Sequence, residues 1–229
     1  MAGGSRFDVS WARGPVARAV RDGFLCFVLG PIIRHYTDPR VLGDHHLDRL
    51  QAPVIFAANH SSHLDTPVIL GALPPPWRRR TAVVAAADYF YRNAFLARLV
   101  TLAFGTIPVD RKGGLSRASA QRLNQVLGER WNLLLYPEGT RSRDGGMGRL
   151  RSGAARLAVD HGVALVPIHV WGSHASMPPG RPWPRHHPIV VRIGAPLRAA
   201  PDEDHRALTE RLEGSLAAMR RRSAEGAPD

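Results

Sequence analysis

The sequence predicts one α/β domain in which helices flank a mostly parallel central sheet. Short apolar runs typical of buried strands alternate along the chain with longer helical segments, and this alternation favours a layered α/β arrangement. The 229 residues are 44% hydrophobic, which is enough for one sizeable core. Because no change in composition and no internal repeat divides the chain, we expect a single domain.

In the first half of the chain, apolar runs and the residues that follow them predict alternating helices and strands. Each predicted strand is a short apolar run. The prolines at 74–76 end one helix because proline cannot continue it, and Gly105 is placed to cap another. In chain order, the predicted elements are helix 8–27, strand 53–58, helix 64–73, strand 81–87, helix 94–104 and strand 106–109.

The second half continues this alternation and contains the strongest strand signal, the apolar run from Trp131 to Tyr136. Gly128 and Gly162 close two helices, and Asp202 can cap the final one. Pro167 falls inside a predicted strand, which indicates an edge strand or a bulge that shapes a pocket wall. The predicted elements are helix 116–127, strand 131–136, helix 152–161, strand 163–170, strand 188–193 and helix 202–222.

Near the N-terminus, the residues from Gly23 to Ile33 form an uncharged, apolar run that Gly30 and Pro31 interrupt. A membrane-spanning helix needs about twenty apolar residues, so this run is too short to cross a membrane. Two interpretations stay open for it. The run is either an interfacial helix that enters one leaflet or a helix of the protein core.

The chain is strongly basic, with 31 Lys and Arg residues against 19 Asp and Glu residues and a formal charge of +12. Nearly all of this charge is arginine, whose planar guanidinium group suits phosphate. Such a balance favours nucleic acid, anionic membrane or anionic substrates as partners. Because the aromatic and basic motif typical of nucleic-acid binding is absent, we expect no nucleic acid among the partners. Cys26 is the only cysteine, so no disulfide forms within the chain.

The segment Asn59–Asp65 contains the first candidate catalytic pair. It lies between a predicted strand and a predicted helix, where α/β proteins commonly place their active sites. His60 and Asp65 are five residues apart and would point about 140° apart on a regular helix, so only a bend at the helix start brings them together. Asp65 would then bind one imidazole nitrogen and leave the other basic.

Two other interpretations of this segment stay open. In the first, His60 merely satisfies buried polar groups and has no chemical role. In the second, His60, His63 and Asp65 bind zinc, although their spacing matches none of the common zinc motifs.

A second polar segment follows the short strand at 106–109, where Asp110 and Arg111 come directly after the last apolar residue. The guanidinium group of Arg111 could bind a phosphate in bidentate fashion. Alternatively, the two residues form an ion pair on a solvated turn.

A third polar segment follows the apolar strand at 131–136 and contains Glu138, Gly139, Thr140 and Arg141. Gly139 permits close approach of the backbone. Thr140 and Arg141 offer a hydroxyl and a guanidinium group to phosphate oxygens. Glu138 could hold Arg141 in place or bind the hydroxyl of an acceptor. The alternative is an ordinary polar turn, but a fully apolar strand that ends in this polar set favours a functional site.

Four segments, taken in order, resemble the glycerolipid acyltransferase family, and within it the 1-acylglycerol-3-phosphate (lysophosphatidic acid) acyltransferases. The family motif N-H-x4-D is matched by Asn59–Asp65, and its glycine-led strand ending in Asp-Arg is matched by Gly105–Arg111. Its aromatic-Pro-Glu-Gly-Thr-Arg-Ser motif is matched by Tyr136–Ser142, and its Val-Pro step by Val166–Pro167. Four motifs in this order are far more specific than any one of them alone.

The resemblance implies a role for each of these residues. His60 would be the general base that deprotonates the acceptor hydroxyl, and Asp65 would orient His60. The remaining motif residues would bind the substrate, namely Arg111, Glu138, Gly139, Thr140, Arg141 and Pro167. No metal and no cofactor is expected, because an acyl thioester of coenzyme A or of acyl carrier protein is the co-substrate.

The resemblance also implies a membrane setting, since members of the family carry an N-terminal helical membrane-docking element. We therefore divide the chain into a membrane-associating helical segment (1–46), an acyltransferase domain (47–222) and a disordered tail (223–229). The expected partners are an anionic membrane surface, a lysophospholipid acceptor and the acyl donor. The expected location is the cytoplasmic face of the plasma membrane, as a peripheral or monotopic protein.

One departure from the family pattern concerns the acceptor, because Leu150 stands where an aromatic residue often follows the third motif. The acceptor is then either 1-acylglycerol-3-phosphate or another lysophospholipid or glycolipid. A further alternative is a non-catalytic, basic, peripheral membrane protein, although such a protein would not need both His60 and Asp65. A covalent serine intermediate is not expected, because the chain has no G-x-S-x-G motif.

Overall fold

A seven-stranded sheet lies at the centre of the computed structural model, which describes residues 8–87, 93–110 and 116–226. The strands are β1 (Arg40–Leu42), β2 (Val54–Ala58), β3 (Thr81–Ala86), β4 (Thr106–Val109), β5 (Asn132–Leu135), β6 (Ala164–Trp171) and β7 (Val190–Ile193). Their order across the sheet is β1-β7-β6-β2-β5-β3-β4. Every neighbouring pair is parallel except β6 and β7, so the predicted α/β class with a mostly parallel sheet is confirmed.

Helices connect these strands and cover the sheet. The helices are α1 (Pro15–Phe24), α2 (Gly30–Thr37), α3 (Asp65–Ala72), α4 (Pro75–Arg78), α5 (Ala94–Phe104), α6 (Arg117–Gly128), α7 (Gly153–His161), α8 (Ser173–Ser176) and α9 (His205–Ala224). Side chains cap three of them, because the Asn93, Ser116 and Asp204 side chains accept bonds from the first backbone N–H groups of α5, α6 and α9. The predicted cap at Asp202 is therefore wrong by two residues.

Two apolar clusters pack against the two faces of the sheet, and β2 contributes to both. Val54, Phe56 and Ala58 belong to the cluster beneath α3, whereas Ile55 and Ala57 belong to the cluster beneath α6, α7 and α9. All five side chains are completely buried. A strand that is covered on both faces has apolar residues at every position, which explains the continuous apolar run in the sequence.

The sheet begins earlier in the chain than the domain start predicted at residue 47. Arg40–Leu42 pairs in parallel with Val190–Arg192 at the edge of the sheet. This strand is short and its residues are largely exposed, so it has no apolar run that would predict it.

At the C-terminal end of the domain, α9 continues to Ala224. The hydroxyl of buried Ser223 accepts a hydrogen bond from Arg192, so Ser223 and Ala224 belong to the helix and not to the predicted tail.

Pro167 lies in β6, which is an inner strand between β2 and β7, so the edge strand predicted from this proline is wrong. The ladder to the following segment is nonetheless irregular here. Ile168 pairs with Ile193, but Leu165 pairs with Leu197, which leaves one extra residue opposite Pro167. The predicted bulge therefore lies in the segment after β7 that runs beside β6. Pro167 costs no regular hydrogen bond, because the ladder between the two segments is already interrupted at this point.

The N-terminal apolar run is helical throughout, because a π-helical turn at Leu25–Leu29 joins α1 to α2. Pro31 is the second residue after this widened turn and lies in the first turn of α2, where a missing N–H group is tolerated. Leu25 and Ile33 are buried against the domain, whereas Phe27 is 83% exposed. The run is thus amphipathic, with one side buried against the domain and the other side exposed. Within the described residues, none of the helices is long and apolar enough to cross a membrane.

Candidate active site

The candidate site begins where β2 ends, and Asn59 fixes the start of the turn that follows. The Asn59 side chain donates to the carbonyl of Val170 (3.0 Å) and accepts from the N–H of the same residue (2.7 Å). This side chain therefore continues the ladder between β2 and β6 by one more step. His60 consequently emerges at the carboxyl edge of the sheet.

The structure brings His60 and Asp65 together by the bend that their spacing requires. Asp65 is the first residue of α3 and is completely buried. One of its oxygens, Oδ2, accepts from Nδ1 of His60 (2.8 Å) and from the backbone N–H groups of Ser61 (2.7 Å) and Ser62 (2.8 Å). Because an ionised carboxylate can only accept, Nδ1 of His60 bears the proton and Nε2 of the neutral ring keeps its lone pair.

Tyr136 supports the imidazole from one face. The two rings are stacked, with their centroids 4.0 Å apart and an angle of 20° between their planes. The Tyr136 hydroxyl is bound to the Thr66 hydroxyl at 2.7 Å. Burial, and next the charge of Asp65, raise the pKa of Tyr136, so the phenol stays protonated. Tyr136 therefore holds the His60 ring without competing for its proton.

Glu138 holds the backbone around the site. Its two oxygens accept from the backbone N–H groups of His60 and Gly148, each at 2.8 Å. Burial raises the pKa of this carboxyl group, while the hydrogen bonds from the backbone N–H groups of Gly148 and His60 act in the opposite direction. The sequence suggested that Glu138 holds Arg141 or binds an acceptor hydroxyl, but these two bonds make it a brace for the turn that bears His60.

The turn after β5 brings cationic groups next to the imidazole. Gly139 has a φ of 75°, and a Cβ there would lie 3.0 Å from Nε of Arg151, so glycine lets this arginine pass. Arg141 contacts Nε2 of His63. Burial first, and then the charge of Arg141, lower the pKa of His63 to about 4. His63 is therefore neutral near pH 7 and accepts a hydrogen bond from Arg141.

A cavity of about 1170 Å³ opens beside His60. Its polar side is cationic, because five arginine side chains line it: Arg117, Arg141, Arg143, Arg151 and Arg156. The Thr140 hydroxyl and Asp110 lie on the same lining. An excess of guanidinium groups in a concave site attracts and binds anions such as phosphate.

Much of the remaining lining of the cavity is apolar and comes from both sides of the sheet. Val84, Leu123 and Leu157 line it from the α6 and α7 side, and Val100 and Phe104 of α5 line it from the other. Apolar walls beside a cationic rim suit an amphiphilic ligand with an anionic headgroup and a hydrocarbon chain.

The residues predicted from the sequence do not all lie on this cavity. His60, Gly139, Thr140 and Arg141 line it. Asp65 and Glu138 lie behind the lining and bind His60, as described above. Pro167 is buried in β6 beside Gly194, away from the cavity lining. Arg111 lies outside the described residues, so its predicted contact with phosphate stays a prediction.

Sequence reasoning missed two contributors to the site. Thr66 was not singled out, and neither was Ser173, which is fully buried and donates to Oδ1 of Asp65 at 2.5 Å. A signal for Ser173 existed, because it follows the carboxyl end of β6 just as His60 follows that of the adjacent β2. Among the described residues, no three His, Cys, Asp or Glu side chains are grouped so that they could hold a metal ion.

Comparison with known sequences places these features in context. The sequence model of the family described as Acyltransferase matches residues 38–171, which include every motif described above. A chloroplastic 1-acyl-sn-glycerol-3-phosphate acyltransferase of Arabidopsis thaliana is 28% identical over 141 residues, which cover 60% of this chain and 37% of the relative. The human 1-acyl-sn-glycerol-3-phosphate acyltransferase alpha is 31% identical over 130 residues, covering 56% of this chain and 44% of the relative.

A lyso-ornithine lipid O-acyltransferase of Pseudomonas aeruginosa is also similar, at 30% identity over 159 residues that cover 69% of this chain and 58% of the relative. The chain thus spans about two fifths to three fifths of the length of these curated relatives. Among solved structures, the 1-acyl-sn-glycerophosphate acyltransferase PlsC of Thermotoga maritima shares the fold, with a TM-score of 0.70 and 20% identity. That match covers 93% of this chain and 82% of the other.

The bracing role of Glu138 can be tested by Glu138→Gln. A glutamine has one oxygen, so its amide group would face one of the two backbone N–H donors and leave that donor unsatisfied. We expect the free energy of unfolding, measured with urea, to fall by about 1–3 kcal/mol. As a control, Glu129→Gln alters a partly exposed ion pair with Arg13 and should change stability less. Equal losses in the two variants would contradict the role of Glu138.

Proposed function

The chain belongs to the acyltransferase family, and we propose on this premise that it transfers a fatty acyl group from an acyl thioester to a hydroxyl of a lysophospholipid. The proposed acceptor is 1-acylglycerol-3-phosphate, and the product is phosphatidic acid. The observation that supports this function best is the hydrogen bond of 2.8 Å between His60 and the buried Asp65, at the wall of a cavity lined by both arginine and apolar side chains.

In the proposed reaction, Nε2 of His60 takes the proton of the acceptor hydroxyl while the oxygen attacks the thioester carbonyl. The carbonyl carbon becomes tetrahedral, then the C–S bond breaks and the acyl group stays on the acceptor oxygen as an ester. The proton on Nε2 passes to the departing thiolate, which restores the neutral ring. Asp65 stabilises the imidazolium that exists between these two proton transfers.

We assign the acceptor phosphate to the cationic side of the cavity, where Arg151 lies against Gly139 and Arg141 follows it two residues later. The hydroxyl of Thr140 adds a further donor, and Arg111 is proposed to join them. A guanidinium group binds a phosphate with two parallel hydrogen bonds, which fixes orientation as well as position. Such a phosphate contact holds the glycerol hydroxyl at a defined distance from His60.

The acyl chains are proposed to lie along the apolar walls formed by Val84, Val100, Phe104, Leu123 and Leu157. The donor is an acyl thioester of coenzyme A or of acyl carrier protein, since both present the same reactive group. The reaction as written is complete with a general base and a thioester, and we propose that no metal or further cofactor takes part.

A second acceptor is favoured by one observation, the similarity to a lyso-ornithine lipid O-acyltransferase. The chemistry is unchanged, because a lipid hydroxyl again attacks an acyl thioester. The two acceptors differ in the headgroup that the arginine residues would bind. A panel of lysolipids with phosphate and amino-acid headgroups therefore separates them.

We propose that the N-terminal helices bind an anionic membrane surface. Val16, Val20, Phe27, Val28 and Ile32 are exposed along one stripe of the continuous helix from α1 to α2. α1 packs against α5, which exposes Phe95, Leu96 and Leu99. Exposed arginine residues interrupt these apolar positions, namely Arg34 and Arg98. Apolar side chains that enter the lipid and cationic groups at its surface are typical of interfacial helices.

The catalytic role of His60 is tested by His60→Ala. Loss of the general base should lower the rate of acyl transfer by about 10²- to 10⁴-fold, while the melting temperature stays near that of the native chain. A radiolabelled acyl thioester and the lysolipid panel provide the assay. His45→Ala, which removes an exposed imidazole, should transfer at the native rate. Near-native turnover by His60→Ala would refute the proposed mechanism.

The phosphate contact is tested by Arg141→Ala. Removal of one charge-assisted hydrogen-bonding group should raise the KM for 1-acylglycerol-3-phosphate by about 10- to 100-fold, with a smaller effect on kcat. Arg149→Ala is the matched control, since Arg149 is exposed on the same loop. If both variants kept the native KM, the acceptor phosphate would have to bind elsewhere.

The membrane contact is tested by Phe27→Glu in sedimentation with vesicles that contain phosphatidylglycerol. Because Phe27 is the most exposed of these apolar side chains, its replacement should weaken vesicle binding by about tenfold or more. Val41→Glu makes the same change of charge on the edge strand β1 and should bind nearly as the native chain does. Equal binding by the two variants would exclude the helix from the membrane contact.

A further inference from the structure

The carboxylate of Asp65 has two oxygens with very different surroundings. Oδ2 accepts three hydrogen bonds, from the ring of His60 and from the backbone of Ser61 and Ser62. Oδ1 accepts from the hydroxyl of Ser173 at 2.5 Å. A distance this short is typical of a hydroxyl that donates to an ionised carboxylate.

Local backbone geometry directs Ser173 toward this oxygen. Gly172 has a φ of 85°, and a Cβ at this position would lie 2.1 Å from the carbonyl oxygen of Pro188. Only glycine fits such a turn, so β6 can end abruptly and α8 can begin beneath the site. Ser173, the first residue of α8, is completely buried as a result.

The hydroxyl groups of Ser61 and Ser173 form a short chain that ends on Asp65. Their oxygens are 3.1 Å apart. Since the Ser173 hydroxyl donates its proton to the carboxylate, it accepts the proton of the Ser61 hydroxyl. The direction of each bond is therefore fixed, and each hydroxyl polarises the next.

We propose that Ser173 is a positioning residue for the acyl-transfer reaction, acting on His60 through Asp65; this inference rests on the proposed function. The bond to Oδ1 prevents the carboxylate from rotating about its Cβ–Cγ bond. Oδ2 then stays in line with Nδ1 of His60, which keeps the proton on Nδ1 and the lone pair on Nε2. Without the hydroxyl, the buried Oδ1 would lose the donor that Ser173 provides. The carboxylate would then rotate so that both of its oxygens share the donors of His60, Ser61 and Ser62.

The expected effect is on turnover and not on substrate binding. Ser173→Ala should lower kcat by about 10- to 100-fold, as for loss of a hydrogen bond to a charged group. The KM for the acceptor should stay within about twofold of the native value, since Ser173 lies behind Asp65 and away from the cavity lining. Ser173→Cys places a slightly larger thiol there that donates only weakly, and it should give an intermediate kcat.

Ser176→Ala is a matched control. Ser176 lies in the same short helix and is equally buried, but its hydroxyl donates to the carbonyl of Arg185 at 2.8 Å. A purely structural contribution of a buried serine hydroxyl should lower the melting temperature of both variants and leave kcat unchanged. We expect Ser176→Ala to keep the native kcat.

A second readout does not depend on activity. The ¹⁵N chemical shifts of the His60 ring report which nitrogen bears the proton. In the native chain they should show the Nδ1–H tautomer, and in Ser173→Ala they should show a mixture of the two tautomers. If Ser173→Ala does not fold, Ser173→Cys takes its place in both measurements, with smaller shifts in the same direction.

The outcomes separate this inference from the function on which it rests. Native kcat and an unchanged tautomer in both Ser173 variants, with His60→Ala inactive, would overturn the role of Ser173 alone. An equal loss of kcat in Ser173→Ala and Ser176→Ala would also overturn it. Native activity of His60→Ala would refute the proposed function, and the ¹⁵N shifts would then still decide whether Ser173 sets the tautomer of His60.

Discussion

The buried carboxylate of Asp65 is the constraint on which the rest of the site depends. A buried charge without partners is strongly unfavourable, so the surrounding chain must supply donors. They come from the ring of His60, the backbone of Ser61 and Ser62, and the hydroxyl of Ser173. The bend between β2 and α3 is the conformation that satisfies this demand. The interaction that stabilises the turn is therefore the same one that orients the imidazole.

The parallel sheet brings the residues that fix this turn together from distant parts of the chain. β5, β2 and β6 are neighbours, and their carboxyl ends meet at one edge. Glu138, 78 residues from His60, binds its backbone from the β5 side, and Ser173, 108 residues from Asp65, binds the carboxylate from the β6 side. Because these strands are buried on both faces, the edge is rigid and the distances at the site are well defined. The loop beyond β5 supplies three arginine residues of the cavity, and α6 and α7 supply the other two.

The sequence predicts the inner part of this fold well, because strands buried on both faces leave continuous apolar runs such as Trp131 to Tyr136. The exposed edge strand at 40–42 has no such run and was missed. The pairing of His60 with Asp65 follows from the motif only if the chain bends, and the donors that cause the bend include backbone groups, which have no sequence signature. For the same reason the resemblance located Glu138 but not its bonds to the backbone N–H groups of His60 and Gly148.

We propose that the negative charge of Asp65, and not merely its shape, makes His60 a base. The rate of acyl transfer by Asp65→Asn, measured with saturating acceptor on protein shown to be folded, tests it most directly. An asparagine has nearly the same shape but cannot stabilise an imidazolium or enforce the Nδ1–H tautomer. We expect kcat to fall by at least about 10²-fold while the KM of the acceptor stays near its native value. A folded Asp65→Asn chain that transfers acyl groups at the native rate would contradict it.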